Sequence, residues 1–217
     1  RRRPRCPRAG PPVMTRGVVN VAVLASRGGS NLQALMDKLH VDPGSPVNIA
    51  VVVSDRERAG ALDRARAGEI PTAVVRPADH ATREGFDDAI GAHLADHDVE
   101  LVVLAGFLRI LQAQFVAQYA GRIINTHNAL LPSFPGMYAV RDALAYGAKV
   151  TGATVHYVDE TVDGGRIIAQ RAVPVLPDDS VEALSARVQQ AEHTLLPIAV
   201  DTIARDILDG RAESDRP

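Results

Sequence analysis

The sequence predicts an α/β domain with a mainly parallel central sheet flanked by helices, followed by a hairpin and a long C-terminal helix. Three observations lead there. Short aliphatic runs, mostly β-branched, alternate with stretches of helical spacing as far as Asn125. Beyond a Pro-rich loop the pattern changes to two strand-like runs around a single turn, and the chain closes on an apolar repeat long enough for one extended helix. With 217 residues, 46% hydrophobic and 23% charged, the chain suits one substantial core and is short for two large domains.

Taken in order, the strand runs are Val19 to Ala25, Val47 to Val53, Thr72 to Val75, Leu101 to Ala105 and Arg122 to Asn125. Between them helical spacing covers Asn31 to Leu39, Ala59 to Ala67, Arg83 to His97 and Leu111 to Tyr119. In the third helix Phe86, Ile90 and Leu94 recur every four residues and form a core-facing stripe. The Pro-rich loop, Leu131 to Gly136, leads to a helix near Tyr138 to Tyr146, then to strands at Thr151 to Val158 and Arg166 to Val173. These last two flank Asp159 to Gly165 and are expected to pair as a hairpin. Asp179 stands three residues before Glu182, a capping-box spacing that starts the final helix, with Val181, Leu184, Val188, Ala191 and Leu195 on one side. Pro197 is expected to kink or end the first half of that helix.

Charge narrows the partners. Arg1, Arg2, Arg3, Arg5, Arg8 and Arg16 stand among Pro and Gly before the first acidic residue, Asp37, so residues 1–17 read as a disordered basic arm. Without those six arginines, 18 of the 24 basic residues face 26 acidic ones, a net charge near -8 that offers nucleic acid no general attraction. No apolar run reaches the roughly 18 residues that span a bilayer, so no membrane partner is expected. The only cysteine is Cys6, which excludes an intrachain disulfide and agrees with a reducing cytoplasm.

Several residue groups have the chemistry for a site. Ser26, Arg27, Gly28, Gly29, Ser30 and Asn31 follow the first strand and open a helix, where free amides can hold an anion. Read alone, that loop is equally an ordinary turn with Ser30 as its cap, and it fits neither the dinucleotide nor the nucleoside triphosphate motif. Asn125 and His127 lie two apart at the end of a strand and project to one side, beyond the carboxyl ends where open α/β sheets bind ligands. A carboxamide donor beside an imidazole suits acyl chemistry, since one stabilises an oxyanion and the other exchanges protons near neutrality. Asp163, in the turn before Gly164 and Gly165, is a plain hairpin tip unless the hairpin folds over the sheet edge and brings it to His127. Leu104 to Leu111 leaves another strand at the same end and offers either a slot for a flat heterocycle or a run into core helix residues. Asp55, after the second strand, has the place of a ribose-binding acid but reads first as a cap or turn residue. His93 and His97 are four apart without the glutamate of a zinc-protease helix, and His40, His80, His156 and His193 form no ligand cluster, so no metal is expected. Nor does a Gly-x-Ser-x-Gly elbow or a reactive cysteine point to a covalent intermediate.

Gly29-Ser30-Asn31-Leu32-Gln33, Leu104 to Leu111, Ile124-Asn125-Thr126-His127 with Leu130-Leu131-Pro132, Asp163-Gly164-Gly165 and Glu192-His193 occur in the order and spacing of the glycinamide ribonucleotide transformylase family. Over residues 19 to 209 the chain resembles that family, which implies a single Rossmann-like formyltransferase domain at 18–210, with 211–217 as a tail. The resemblance further implies transfer of a formyl group from 10-formyltetrahydrofolate to the amine of glycinamide ribonucleotide, in purine biosynthesis and in the cytoplasm. On it, Asn125, His127 and Asp163 match the catalytic trio, Gly29, Ser30, Asn31 and Glu192 the phosphoribosyl-binding residues, and Arg83, Leu108, Arg109, Ile110 and Leu111, with Asn125, the folate-binding positions. Two positions depart from the family: Asn128 follows His127 where Pro is usual, and Tyr138 replaces a frequent His.

Three rival readings share these residues. A formyltetrahydrofolate deformylase would use water as the acceptor and resembles a chain with an added N-terminal regulatory domain, which the arm is too short to supply. Methionyl-tRNA formyltransferase carries a C-terminal RNA-binding domain and favours a basic surface, against the acidic body here. A non-catalytic folate or nucleotide binder would not need Asn125, His127 and Asp163 together. A homodimer is expected only from the frequency of symmetric dimers.

Overall fold

The computed structural model describes residues 17–211, so the basic arm at 1–17 and the tail at 211–217 lie outside the described residues except for Gly17 and Arg211. Strands β1 (Val19–Leu24), β2 (Val47–Ser54), β3 (Thr72–Val74), β4 (Leu101–Leu104), β5 (Ile123–His127), β6 (Val150–Tyr157) and β7 (Ile167–Pro174) form one sheet in the order β3-β2-β1-β4-β5-β6-β7. The first five pair in parallel, and β6 and β7 extend the sheet antiparallel beyond β5, with β7 at the edge.

Helices cover both faces. Along β1, Val19, Val21 and Val23 face one core with Leu32 and Leu35 of α1 (Ser30–Leu35), Leu62 of α2 (Gly60–Ala67), and Val200 and Ile203 of α6 (Val181–Leu208). Ala22 and Leu24 face the other core, with Phe86, Ile90 and Leu94 of α3 (Arg83–Ala95) and Phe115 and Val116 of α4 (Ala113–Gln118). A strand covered on both faces has no polar side, which is why these runs read as continuous rather than alternating. A third, smaller core joins Val140 of α5 (Ala139–Tyr146) to Ala153, Val173, Leu184 and Val188.

Three details differ from the sequence expectation. The cap of α6 is Ser180, whose hydroxyl accepts from the Ala183 amide at 3.1 Å. Asp179 instead accepts from the Leu176 amide at 2.7 Å and from both forks of Arg187 at 2.8 and 2.7 Å, so the bidentate arginine outcompetes the cap role. Val181 is exposed, and the buried side begins at Leu184. Pro197 does not end α6, which runs on to Leu208. Pro197 has no N–H for the carbonyl of His193, four residues back, and that carbonyl accepts from the Lys38 ammonium at 3.0 Å. The lost helical bond is thus replaced by a tertiary one.

Candidate active site

The carboxyl ends of β1, β4 and β5 bring three loops together. After β1 the chain turns through Gly29, which sits at φ +74 in the left-handed region, and α1 begins at Ser30. The Ser26 amide donates to the Gly106 carbonyl at 3.2 Å and its hydroxyl accepts from the Leu108 amide at 2.9 Å, which ties this loop to the segment leaving β4. Asp55, beyond β2, is buried, and one of its oxygens accepts from Arg109 Nε at 2.8 Å. Its role is therefore a clamp on that same segment rather than a cap.

Arg83, Leu108, Arg109 and Ile110 line one cleft of about 470 Å³, with Phe86 and Asp87 on its wall. Arg83 Nη2 donates to the Ile110 carbonyl at 3.0 Å and holds the wall to α3. Asp87 Oδ2 accepts from the Gln112 amide at 2.8 Å, and burial raises the Asp87 carboxyl above the ordinary carboxylate range. Leu111 is not on the cleft; its side chain packs into the core beside Phe115, which leaves only its backbone to offer a ligand.

Strand β5 runs through His127, two residues further than the sequence pattern reached, because the antiparallel partner β6 continues the ladder, with Asn125 opposite His156 and His127 opposite Thr154. Asn125 and His127 therefore share one face of a strand. The hairpin after β6 does fold over this edge: Asp163 Oδ2 lies 3.4 Å from His127 Nδ1 and accepts from the Gly136 amide at 2.7 Å. The other ring nitrogen, Nε2, is 2.9 Å from the Phe134 carbonyl, so each nitrogen of His127 faces an acceptor. Both flanking residues are strained. Phe134 at φ +53 and Asp163 at φ +54 occupy left-handed backbone that non-glycine residues adopt at a cost of about 1–3 kcal/mol, and both touch the same imidazole. In the turn the left-handed residue is thus Asp163 itself; Gly165 is needed for closeness, since a Cβ there would meet the Tyr157 carbonyl at 1.9 Å.

Glu192 of α6 connects the first turn of α1 to β5. It is 4% exposed, accepts from the Thr126 hydroxyl through one oxygen and from Asn31 Nδ2 at 3.3 Å through the other, and burial pushes its carboxyl up despite both bonds and the nearby His127. Asn31 Oδ1 is buried and has no partner among the described residues.

Three contributors are not among the residues that the sequence singles out as a site. His156, 2% exposed, has Nε2 at 3.3 Å from Asn125 Nδ2 and Nδ1 at 2.8 Å from the Tyr157 carbonyl. The fully buried Thr154 hydroxyl donates to the Ala129 carbonyl at 2.7 Å and accepts from the Leu131 amide at 3.1 Å, and Gln170 Nε2 donates to the Leu131 carbonyl at 2.8 Å. These two residues pin the loop that carries Phe134. The only signal in the sequence is their place as polar groups in the two strand-like runs beyond Asn125. Among the described residues no group of three or more potential metal ligands gathers, and no helix is long and apolar enough to cross a membrane.

Comparison with known proteins gives concordant matches. The family described as Formyl transferase matches residues 19–200. A phosphoribosylglycinamide formyltransferase of Mycobacterium tuberculosis is 48% identical over 184 residues, 85% of this chain and 84% of that protein. The structure of phosphoribosylglycinamide formyltransferase from Brucella melitensis superposes with a TM-score of 0.82 at 44% identity, covering 86% of this chain and 96% of that one. Glycinamide ribonucleotide transformylase 1 from Symbiobacterium toebii gives 0.83 at 42% identity, with 87% and 88% covered.

Proposed function

This chain belongs to the formyl transferase family, and from that premise we propose that it transfers the formyl group of 10-formyltetrahydrofolate to the amine of glycinamide ribonucleotide. The observation that carries the reading is the assembly of Asn125, His127 and Asp163 at the carboxyl end of β5, with His127 3.4 Å from Asp163. No metal and no covalent enzyme intermediate enter the scheme. The primary amine of the ribonucleotide attacks the formyl carbon, a C–N bond forms, and the carbonyl electrons move onto oxygen. Asn125 Nδ2 and the protonated His127 donate to that oxyanion, where one such donor contributes roughly 10²–10³ in rate. The Nε2–H of His127, which now points at the Phe134 carbonyl, turns its hydrogen bond to the oxyanion without giving up the proton, while Asp163 keeps the other nitrogen occupied and the ring oriented. Collapse expels N10 of tetrahydrofolate, which takes up a proton as the amine loses one.

In the same reading, Gly29, Ser30 and Asn31 hold the substrate phosphate at the start of α1, and Glu192 contacts the ribose side of the ligand. Support comes from the unmatched Asn31 Oδ1 and from the bonds of Glu192 to both Asn31 and Thr126. The folate lies along Leu108, Arg109 and Ile110 with its anionic end toward Arg83 and Arg109, a use that the shared cleft of these four residues supports. A cytoplasmic enzyme acting on small soluble substrates, homodimeric on frequency alone, completes the proposal.

A spectroscopic formyl-transfer assay with 10-formyltetrahydrofolate tests it, with glycinamide ribonucleotide, water or a glycinamide lacking the phosphate as acceptor. Turnover that requires the full ribonucleotide is expected. Release of formate without any amine would move the protein to the deformylases, and absence of turnover with tight folate binding would make it a binder.

A further inference from the structure

We propose that His156 is a positioning residue, holding the carboxamide of Asn125 so that its nitrogen, not its oxygen, faces the reacting formyl group. The inference rests on the reaction reading above, but its geometry is independent of it. Cross-strand register places His156 directly opposite Asn125 on the β5–β6 ladder, and the side chains meet with Asn125 Nδ2 3.3 Å from His156 Nε2. An amide nitrogen and oxygen have nearly the same shape, so the orientation of Asn125 must be argued from its neighbours.

Those neighbours decide it. His156 Nδ1 is 2.8 Å from the Tyr157 carbonyl, which can only accept, so Nδ1 carries a proton. In a neutral ring Nε2 is then a bare acceptor, and Asn125 satisfies it by donating one of its two N–H groups. The second N–H remains on the face shared with His127, and Oδ1 is turned away from the developing negative charge. A doubly protonated His156 would reverse this arrangement, because Nε2–H would call for Oδ1. Burial at 2% exposure acts most strongly against that second proton, with His127 on the same side. The Tyr157 carbonyl, Asp163 and Asp159 act the other way. Asp163 Oδ1, at 3.8 Å from Nε2, is too distant to hold the proton by a hydrogen bond. Without the imidazole lone pair the amide can rotate, and an oxygen facing the oxyanion repels where a nitrogen would stabilise.

The test uses the full chain with His156→Leu and His156→Gln, which occupy similar volumes but differ in offering an acceptor. We expect His156→Leu to lower kcat about 10- to 100-fold with little change in either KM, which is part or most of one oxyanion donor. His156→Gln is expected to recover most of that loss. Combined with Asn125→Ala, His156→Leu should cost less than about 3-fold more, because both act through one carboxamide. Equal losses for Leu and Gln, or full additivity with Asn125→Ala, would overturn the proposal. Nitrogen NMR of the ¹⁵N-histidine-labelled wild-type protein decides the tautomer without turnover: Nδ1 protonated and Nε2 bare is expected, and a protonated Nε2 near neutral pH overturns the assignment. A protein that shows the expected tautomer but transfers no formyl group would sink the reaction reading and leave the placement of Asn125 standing.

Discussion

Replacing Gly29 with alanine should damage both stability and the loop at the start of α1, by an amount that follows from two features of the position. The backbone is at φ +74, where an L-residue with a Cβ is disfavoured by about 1–2 kcal/mol. The added Cβ would also lie 2.6 Å from Ala61 Cα and 2.7 Å from its Cβ, where carbon atoms normally rest about 3.5–4.0 Å apart. Ala61 has no freedom to retreat: it is fully buried, and its amide donates to the Arg27 carbonyl at 3.0 Å. The start of α2 must therefore shift by roughly 1 Å, an overpacking cost of about 1–3 kcal/mol. The sum, about 2–5 kcal/mol, is a large part of the roughly 5–15 kcal/mol that holds a domain together. Gly28 is the internal control, because a Cβ there meets nothing within 4 Å and Gly28→Ala should change stability by less than about 0.5 kcal/mol. Urea unfolding of the two variants beside wild type measures the difference. Gly29→Ala and Gly28→Ala unfolding at the same urea concentration would refute the argument, and a KM for the ribonucleotide unchanged in Gly29→Ala would separately remove the loop from the phosphate site.

Four further outcomes are expected. Glu192 is held above its ordinary value by burial, so the folded state binds more protons than the unfolded one from about pH 4.3 upward, and stability falls as pH rises until the folded carboxyl ionises. Glu192→Gln should flatten that loss, measured as the change in urea midpoint between about pH 5 and about pH 7.5 relative to wild type; identical slopes would contradict it. Thr154→Val keeps the shape but strands the Leu131 amide and the Ala129 carbonyl in a fully buried site, and should lose about 2–4 kcal/mol by urea unfolding, whereas Thr154→Ser stays close to wild type. Arg83→Ala removes the bond to the Ile110 carbonyl and should raise the KM for the folate roughly tenfold while leaving that for the ribonucleotide unchanged, about 1.4 kcal/mol confined to one substrate. His127→Ala and Asp163→Ala should each lower kcat strongly, and the double variant little further; independent, multiplying losses would show that the pair does not act as a unit.

How much of this was legible in the sequence depends on the range of the interaction involved. The runs at Val19, Val47 and Leu101 announced strands because burial on both faces needs only aliphatic residues, a property each run carries in itself. The end of β5 was not legible: Thr126 and His127 are strand residues because β6 pairs with them, and that partner lies about thirty residues on. The start of α6 was ambiguous by one residue because Asp179 and Ser180 are both able caps, and the choice is made by Arg187, which takes the carboxylate for itself. Pro197 reads as a kink or an end because local rules count its missing N–H as a loss, whereas Lys38 reaches the freed carbonyl and the helix runs on. The site divides in the same way. Asn125, His127 and Asp163 stood out through a spacing shared with a family, and Arg83 joined Leu108, Arg109 and Ile110 on the same ground before the fold put all four on one cleft. His156 had no such mark. Its use comes wholly from facing Asn125 across two antiparallel strands, with a carbonyl on its far side to fix its tautomer. A residue that acts by orienting another carries no spacing rule with its partner, because the ladder register that joins them is a property of the folded sheet.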